Sequence, residues 1–391
     1  MTARDGPLQK HKKILMPVYN EIDYDGRVLR AAECLGEKHS VTVFSVNSHN
    51  GYSNPNFSLR TVSLAWFGSR GMLRWAYYSL MLLIAALRVR PDIIHAHDYF
   101  TAYPGRIAAA LCGAALVYDA HELIIPEKGQ QLGRRNGFFY RLEKRILPRA
   151  ALIIAANPER AELMREHYGL AQAPLDINNI TPAPVGTPGP DEALRRYPAL
   201  QRGRDGLVRL VFQGFISADR GVVASIAALA QLPEHFELVL VGGGPPADIA
   251  AMHAAVAEYG VERRVIYLGR VPRDHLHDIL QCCDIGIVYY FSRTLNQLYC
   301  APNKIYEYAQ AGLPMISSCQ PPLRPVHEKY GISELVGCGG DEAERLIPDL
   351  AKASQTIAAD LAGYRKMIPA FLAENQWERE AQRLREAVDG L

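Results

Sequence analysis

Apolar and polar positions along the chain alternate between two textures. Short runs rich in β-branched residues at 13–18, 41–46, 92–95, 116–118 and 151–154 are separated by stretches of helical character, among them 27–35 and 72–87. The alternation returns at 207–212, 236–241, 265–268, 284–288 and 315–317, with helices from about Gly221, over 247–258, near His275 and from Asn303, and closing helices between Asp341 and Val388. Strands that alternate with helices form a parallel sheet with right-handed crossovers. Between 171 and 206 the texture changes, because Pro174, Pro182, Pro184, Pro188, Pro190 and Pro198 break regular elements. The pattern predicts an α/β protein with two doubly wound parallel-sheet domains at 1–180 and 207–373. A linker at 181–206 joins them, and a final helix at 374–391 packs back on the first. Ligands of such sheets bind beyond the carboxyl ends of the strands, so polar or Gly-rich residues just after a strand are the candidates.

A length of 391 residues exceeds what one core serves, and 49% apolar with 21% charged residues describes a folded globular chain. The net charge of +2 carries no global nucleic-acid footprint, so local clusters carry the information. Seven cysteines without Cys-x-x-Cys pairs, with Cys282 and Cys283 adjacent, suit neither a disulfide framework nor a zinc site. They fit a reducing, cytoplasmic compartment. Residues 1–13 are polar and show no signal-peptide stretch. The apolar stretch at 72–87 is interrupted by Arg74 and falls short of the roughly 20 residues that span a bilayer. It reads as a buried or interfacial helix. Residues 128–149 hold Lys128, Arg134, Arg135, Arg141, Lys144, Arg145 and Arg149 against Glu143, interleaved with Phe138, Phe139 and Leu142. Two readings stay open: contact with anionic lipid at the inner face of a membrane, or a solvated helix face packed on the domain.

Candidate chemistry lies mostly in the second half. Asn303 opens the helix that carries Lys304 and Glu307 and is read as its N-cap. Amides at a helix start attract phosphate oxygens, Lys304 adds a point charge, and Glu307 accepts two ribose hydroxyls. The alternative is a capped helix with a solvent-facing Lys and Glu. Gly214 follows a strand and Arg220 precedes the next helix, so backbone and guanidinium suit a diphosphate, or form an ordinary turn with an exposed Arg. Gly242, Gly243 and Gly244 lack dinucleotide-fingerprint spacing and point to close backbone packing near the site. In the first half, His121 ends a strand within Tyr118-Asp119-Ala120-His121-Glu122 and suits a hydroxyl or phosphate contact. His95 and His97 with Asp98 are a weak metal candidate. Asp23-Tyr24-Asp25 has the Asp-x-Asp form of some metal-dependent sugar transferases but sits in a loop before a helix, where capping explains it. Asp25, Arg27 and Asp98 are candidate acceptor-side contacts.

Taken together, Gly214 to Gly221, Leu240 to Pro245, Val265 to Pro272, Cys283 to Gly286 and above all Pro302 to Pro314 resemble the retaining glycosyltransferases of family 4 in a Pro-Asn-Lys variant. The resemblance implies GT-B architecture, two Rossmann-like domains facing across a cleft that closes over the substrates. It implies a nucleotide-diphosphate sugar donor and a saccharide or lipid-linked acceptor, with no cofactor and no metal. Glu307 would bind the donor ribose, Arg220 and Lys304 the diphosphate, Gly214, Gly243 and Asn303 its surroundings, and the backbone around Val271 the base. His121 would lie near the transferred sugar. Many members carry Glu where this chain has Tyr299, and Arg where it has Phe215. The competing readings are a nucleotide-sugar epimerase of the same fold, which lacks a clear acid and base pair here, and a non-catalytic sugar-nucleotide or polysaccharide-binding module. An NAD-dependent oxidoreductase is disfavoured by the glycine spacing.

Overall fold

A computed structural model describes residues 11–47, 53–68, 71–127, 129, 131–201, 206–340 and 342–391. Residues 1–10 of the polar N-terminus, Lys128 at the start of the basic stretch, 202–205 of the expected linker and Asp341 lie outside the described residues. The chain divides into two compact units, Met1–Asn179 with Glu378–Leu391, and Ile180–Trp377.

The first unit is built on a seven-stranded sheet. Its strands are β1 (Lys13–Pro17), β2 (Ser40–Val46), β3 (Phe57–Val62), β4 (Ile93–His97), β5 (Ala115–Ala120), β6 (Leu152–Ala155) and β7 (Leu175–Asp176). All pairs are parallel, in the order β3-β2-β1-β4-β5-β6-β7, so the chain reverses its winding between β1 and β4. The central strands are buried along almost their whole length, which is why they read as continuous apolar runs rather than alternating ones. Helix starts follow capping chemistry. Asp25 accepts from Val28 N ahead of the Gly26–Gly36 helix, and Asn157 with Pro158 begins the Pro158–Tyr168 helix that Gly169 ends in the left-handed region. The Trp377–Asp389 helix packs within this unit from Glu378 onward. Asp389 meets Lys38 and His39, and Arg383 meets Asp176.

The second unit carries a six-stranded parallel sheet in the order β10-β9-β8-β11-β12-β13. The strands are β8 (Val208–Gln213), β9 (Phe236–Val241), β10 (Val265–Gly269), β11 (Ile285–Val288), β12 (Met315–Ser318) and β13 (Ser333–Val336). Two apolar clusters cover its faces, one around Val239, Tyr308 and Leu313, the other around Leu238, Ile226 and Ile357.

Two sequence expectations are corrected here. The stretch at 181–206 belongs to the second unit and contains a helix, Pro190–Arg196, whose Ala193 is buried with Leu200 in the core. Pro190 occupies the first helical turn, where its missing N–H has no intrahelical role, so it starts a helix instead of breaking one. Cys319 and Cys338 follow the adjacent strands β12 and β13, and with Cα atoms 5.1 Å apart they form a disulfide. The Gly71–Val89 helix buries Tyr78, Leu82, Ala85 and Ala86 on the sheet while Leu73, Leu80 and Leu87 stay exposed. It is long and apolar enough to cross a membrane, with 22% of its apolar window buried.

Candidate functional site

In the second unit, four of the residues singled out by sequence converge just beyond β8. Lys304 lies at the start of the Lys304–Gln310 helix, and its Nζ is enclosed, 4.0 Å above the Phe212 ring and 5.6 Å from the Tyr290 ring, with no hydrogen-bond acceptor. Burial first, then the Arg220 charge, pushes its ammonium down to about 7, against a smaller pull from Glu307. Arg220 stacks on the other reach of Tyr290, its Cζ 4.4 Å from the ring centre. The turn carrying Arg220 is fixed by Asp219, whose carboxylate accepts from Ser217 Oγ and Gln297 Nε2 at 2.5 Å each. Two cations share one aromatic ring, and one of them, Lys304, has no hydrogen-bond acceptor. Such an arrangement is relieved by a bound anion.

The glycines serve this geometry in a specific way. Gly214 has φ 114°, a conformation that favours glycine, and a Cβ there would sit in contact with Lys304 Cε at 3.4 Å. Gly242 has φ 136°, and a Cβ on it would fall 1.8 Å from the Gly214 carbonyl oxygen. The Gly214 N–H donates to Val241 O at 2.8 Å and Ile216 N–H to Gly243 O at 3.0 Å, so the two loops are laced backbone to backbone. Gly243 faces the Arg270 side chain rather than the Lys304 group. Val271, half-buried after β10, packs on the core.

Glu307 is held by an amide the sequence reading gave no role. Gln213, the last residue of β8, donates from Nε2 to Glu307 Oε2. The Gln213 N–H donates to Tyr308 Oη at 3.1 Å, and Tyr308 in turn reaches Val211 O at 3.2 Å, which pins the helix to the strand end. Asn303 stands at the expected N-cap position, its carbonyl accepting from Glu307 N–H at 3.2 Å, but its backbone is helical with φ −65° and ψ −29° and its side chain makes no capping bond, leaving Oδ1 enclosed and without a partner. Tyr290 and Phe212 were likewise missed.

In the first unit, His121 follows β5 and joins a hydrogen-bonded cluster. His97 Nδ1 and His121 Nε2 are 3.0 Å apart, and Asp25 Oδ2 stands 3.8 Å from His121 Nδ1. Burial pushes the His121 imidazole down to about 4, outweighing the attraction of Asp25 and Asp119, so the ring is neutral at pH 7. Arg160 Nη1 donates to the His121 carbonyl at 2.5 Å and holds the loop. Asp25 caps its helix through Val28 and accepts from Asn20 Nδ2 at 2.8 Å.

Two acceptor-side expectations are corrected in this cluster. Arg27 is 8% exposed and is bound on both edges: Nε and Nη2 donate to Asp119 at 2.8–3.1 Å, and Nη1 donates to Ile177 O. It ties the start of the Gly26–Gly36 helix to the end of β5 and to the residue after β7, and offers no free fork to an acceptor. Asp98 sits at φ 62° at the start of the Asp98–Cys112 helix with one carboxylate oxygen enclosed, and burial beside Glu122 holds its carboxyl well above the usual range. It is also outside the histidine grouping. The residues whose ligand atoms lie within 4.8 Å of one another are His95, His97 and Asp119. Asp119 is also held by the Arg27 guanidinium, while both ring nitrogens of His95 and Nε2 of His97 are enclosed without a hydrogen-bond partner.

Comparison with known proteins is consistent with both halves. Residues 27–177 match the family described as Glycosyltransferase Family 4, and residues 208–360 match Glycosyl transferases group 1. The D-inositol 3-phosphate glycosyltransferase of Xylanimonas cellulosilytica is 26% identical over 50% of this chain and 49% of its own length. The alpha-maltose-1-phosphate synthase of Mycolicibacterium smegmatis is 25% identical over 55% of this chain and 59% of its own. The chain therefore spans about half the length of the curated relatives it matches. Among solved structures, Anabaena HepE in complex with UDP and glucose superposes with a TM-score of 0.75 at 19% identity, covering 97% of this chain and all (100%) of that one. Sucrose-phosphate synthase from Thermosynechococcus elongatus gives 0.74 at 19% identity, covering 96% and 97%. With two parallel sheets of matching topology and family matches over both, the chain belongs to the family 4 glycosyltransferases and has their GT-B fold.

Proposed function

We propose that this chain is a retaining, metal-independent glycosyltransferase that moves a sugar from a nucleotide-diphosphate donor to a saccharide or lipid-linked acceptor in surface polysaccharide or glycolipid synthesis. The observation that carries this reading is the enclosed Lys304 ammonium beside Arg220, with the Glu307 carboxylate on the same helix. A diphosphate supplies the missing negative charge, and Glu307, steadied by Gln213, accepts the two ribose hydroxyls. The half-buried backbone after β10, at Val271, is assigned to the base. HepE, whose fold this chain shares, was solved with UDP and glucose, which supports the same donor class here.

In the step itself the bond from the sugar C1 to the diphosphate oxygen breaks and a bond from C1 to an acceptor hydroxyl oxygen forms on the same face. The hydroxyl proton passes to the departing diphosphate. Arg220 and Lys304 stabilise the negative charge that develops on that leaving group, so no metal is called on. Neutral His121 is assigned a hydrogen bond to a sugar hydroxyl. A cytoplasmic site of action with peripheral contact to anionic lipid through 128–149 belongs to the same proposal. The test is transfer from a nucleotide sugar in EDTA, with the product anomer read by proton NMR. Full activity and a retained anomer are expected, and an inverted anomer or loss of activity in EDTA would contradict the reading.

One observation favours a non-catalytic binding module as the second reading. Phe215 is 51% exposed at the phosphate loop, where an Arg is expected of an active member. Turnover in the same assay excludes it.

A further inference from the structure

A cavity of about 1190 Å³ opens in the first unit beside the residues that follow β1, β2 and β3. Small-molecule sites commonly occupy roughly 300–1,000 Å³, so it has room for more than one sugar ring, or for a sugar with a diphosphate. One wall is aromatic. The Trp75 indole N–H donates to Phe100 O at 2.8 Å, and the Phe138 and Phe139 rings stand nearly perpendicular to it with centres 5.7 and 5.4 Å away. An indole held in this way offers a face to the C–H side of a sugar.

The charge lining the cavity is one-sided. Arg74, Arg134, Arg135 and Arg141 line it against one carboxylate, Glu21, and among the described residues none of the four arginines forms an ion pair. Arg74 Nε is enclosed without an acceptor, although its Nη1 reaches Gly68 O at 3.4 Å. Arg134 and Arg135 stand on the first turn of the Arg134–Ile146 helix, which has no acidic residue there, so cations meet the positive end of a helix. Arg135 is steadied over the Phe100 ring at 5.3 Å. These charges repel one another and the helix end until an anion arrives. One lining residue, Asn20, links the cavity to the histidine cluster by donating to Asp25, which stands 3.8 Å from His121.

We infer that this cavity is the acceptor site and that the acceptor carries a phosphate or diphosphate group, held by the arginines while a sugar ring lies on Trp75. The inference rests on the transferase reading above and names its acceptor class. It also gives Arg134, Arg135 and Arg141 a phosphate ligand inside the cavity and leaves the lipid contact proposed above to the other cations of the basic stretch. The phosphate has two chemical sources, a soluble sugar phosphate or a sugar diphosphate on a polyprenyl lipid.

The test uses the full chain with Arg220→Ala and Lys304→Met together, which removes both donor-side cations, and follows Trp fluorescence and calorimetry. The probes are a hexose 1-phosphate, the methyl hexoside, a polyprenyl diphosphate hexose in detergent micelles, and anionic phospholipid vesicles. Binding of the hexose phosphate or of the lipid-linked sugar, weakening with salt and at least about tenfold weaker with Arg135→Gln and Arg141→Gln together, is expected. Which of the two binds tighter identifies the source. Melting temperature and nucleotide-sugar binding stay unchanged in an Arg135→Gln, Arg141→Gln chain that keeps Arg220 and Lys304. Equal binding of the neutral hexoside, an undiminished double variant, or a response to the vesicles alone would overturn the inference. Phosphate binding in the cavity together with a wild-type chain that shows no measurable nucleotide-sugar binding would sink the transferase reading and leave the phosphate site standing.

Discussion

Lys304→Met removes a buried ammonium without a hydrogen-bond acceptor while keeping most of the side chain's reach. Folding takes the Lys304 pKa from an ordinary 10.5 to about 7. At about 1.4 kcal/mol per pKa unit, the protonated side chain weighs against the fold by up to about 5 kcal/mol. Between pH 7 and 10.5 the unfolded chain holds this proton and the folded chain does not, so the penalty is full below pH 7 and fades as pH rises through that window. The contact with the Phe212 ring and local relaxation return part of it. The variant is therefore expected to be more stable than the wild type by about 1–3 kcal/mol at pH 6 in urea unfolding, with the gain shrinking toward pH 9. Donor binding moves the other way. Loss of a charge-assisted contact to the diphosphate weakens nucleotide-sugar affinity by about 1.5–3 kcal/mol, roughly 10- to 150-fold. In the wild type at pH 8, where the free amine is mostly neutral, calorimetry in buffers of different ionisation heat reads an uptake of about one proton per donor bound. A variant that is less stable, or that binds donor as tightly as the wild type, would refute the anion-site reasoning.

Arg27→Ala leaves Asp119 buried without its guanidinium and is expected to lower stability by about 3–5 kcal/mol in urea unfolding, whereas less than about 1 kcal/mol would show that the pair is not what joins the Gly26–Gly36 helix to β5. Gly242→Ala places a Cβ 1.8 Å from the Gly214 carbonyl at φ 136°, so it is expected to abolish donor-induced thermal stabilisation while the first unit keeps its anion binding; an unperturbed donor response would contradict the loop lacing. Because His121 is held at about 4, transfer rates are expected to show no inflection from it between pH 5.5 and 7.5, and a rate that falls with a midpoint near 6.5 in wild type but not in His121→Asn would contradict its neutral state.

The alternation of apolar strands and helices was legible because the central strands are buried on both faces. The edges were not. β3 reads FSLRTV with a mostly exposed middle, and β7 is two residues long, so neither offers an apolar run. The 181–206 stretch misled because proline counts against helices in general but not at their first turn, where Pro190 stands. Gly214, Arg220, Lys304 and Glu307 could be singled out because motif spacing survives in one dimension, and the fold brings them together beyond β8. Gln213, Tyr290 and Phe212 carry no local signal, since their roles arise from the approach of β8, β11 and a helix 90 residues apart in sequence. The histidine cluster failed in the same way. His97 pairs in register with Asp119 on the neighbouring strand, while its sequence neighbour Asp98 turns into a helix.

The central claim is that Lys304, Arg220 and Glu307 form a nucleotide-sugar site, and thermal stabilisation by a panel of nucleotide sugars in EDTA tests it most directly. One nucleotide family is expected to raise the melting temperature of the wild type and to lose that effect with Glu307→Ala, accompanied by slow donor hydrolysis in the wild type. No shift with any nucleotide at millimolar concentration, or a shift that Glu307→Ala leaves intact, would contradict the account.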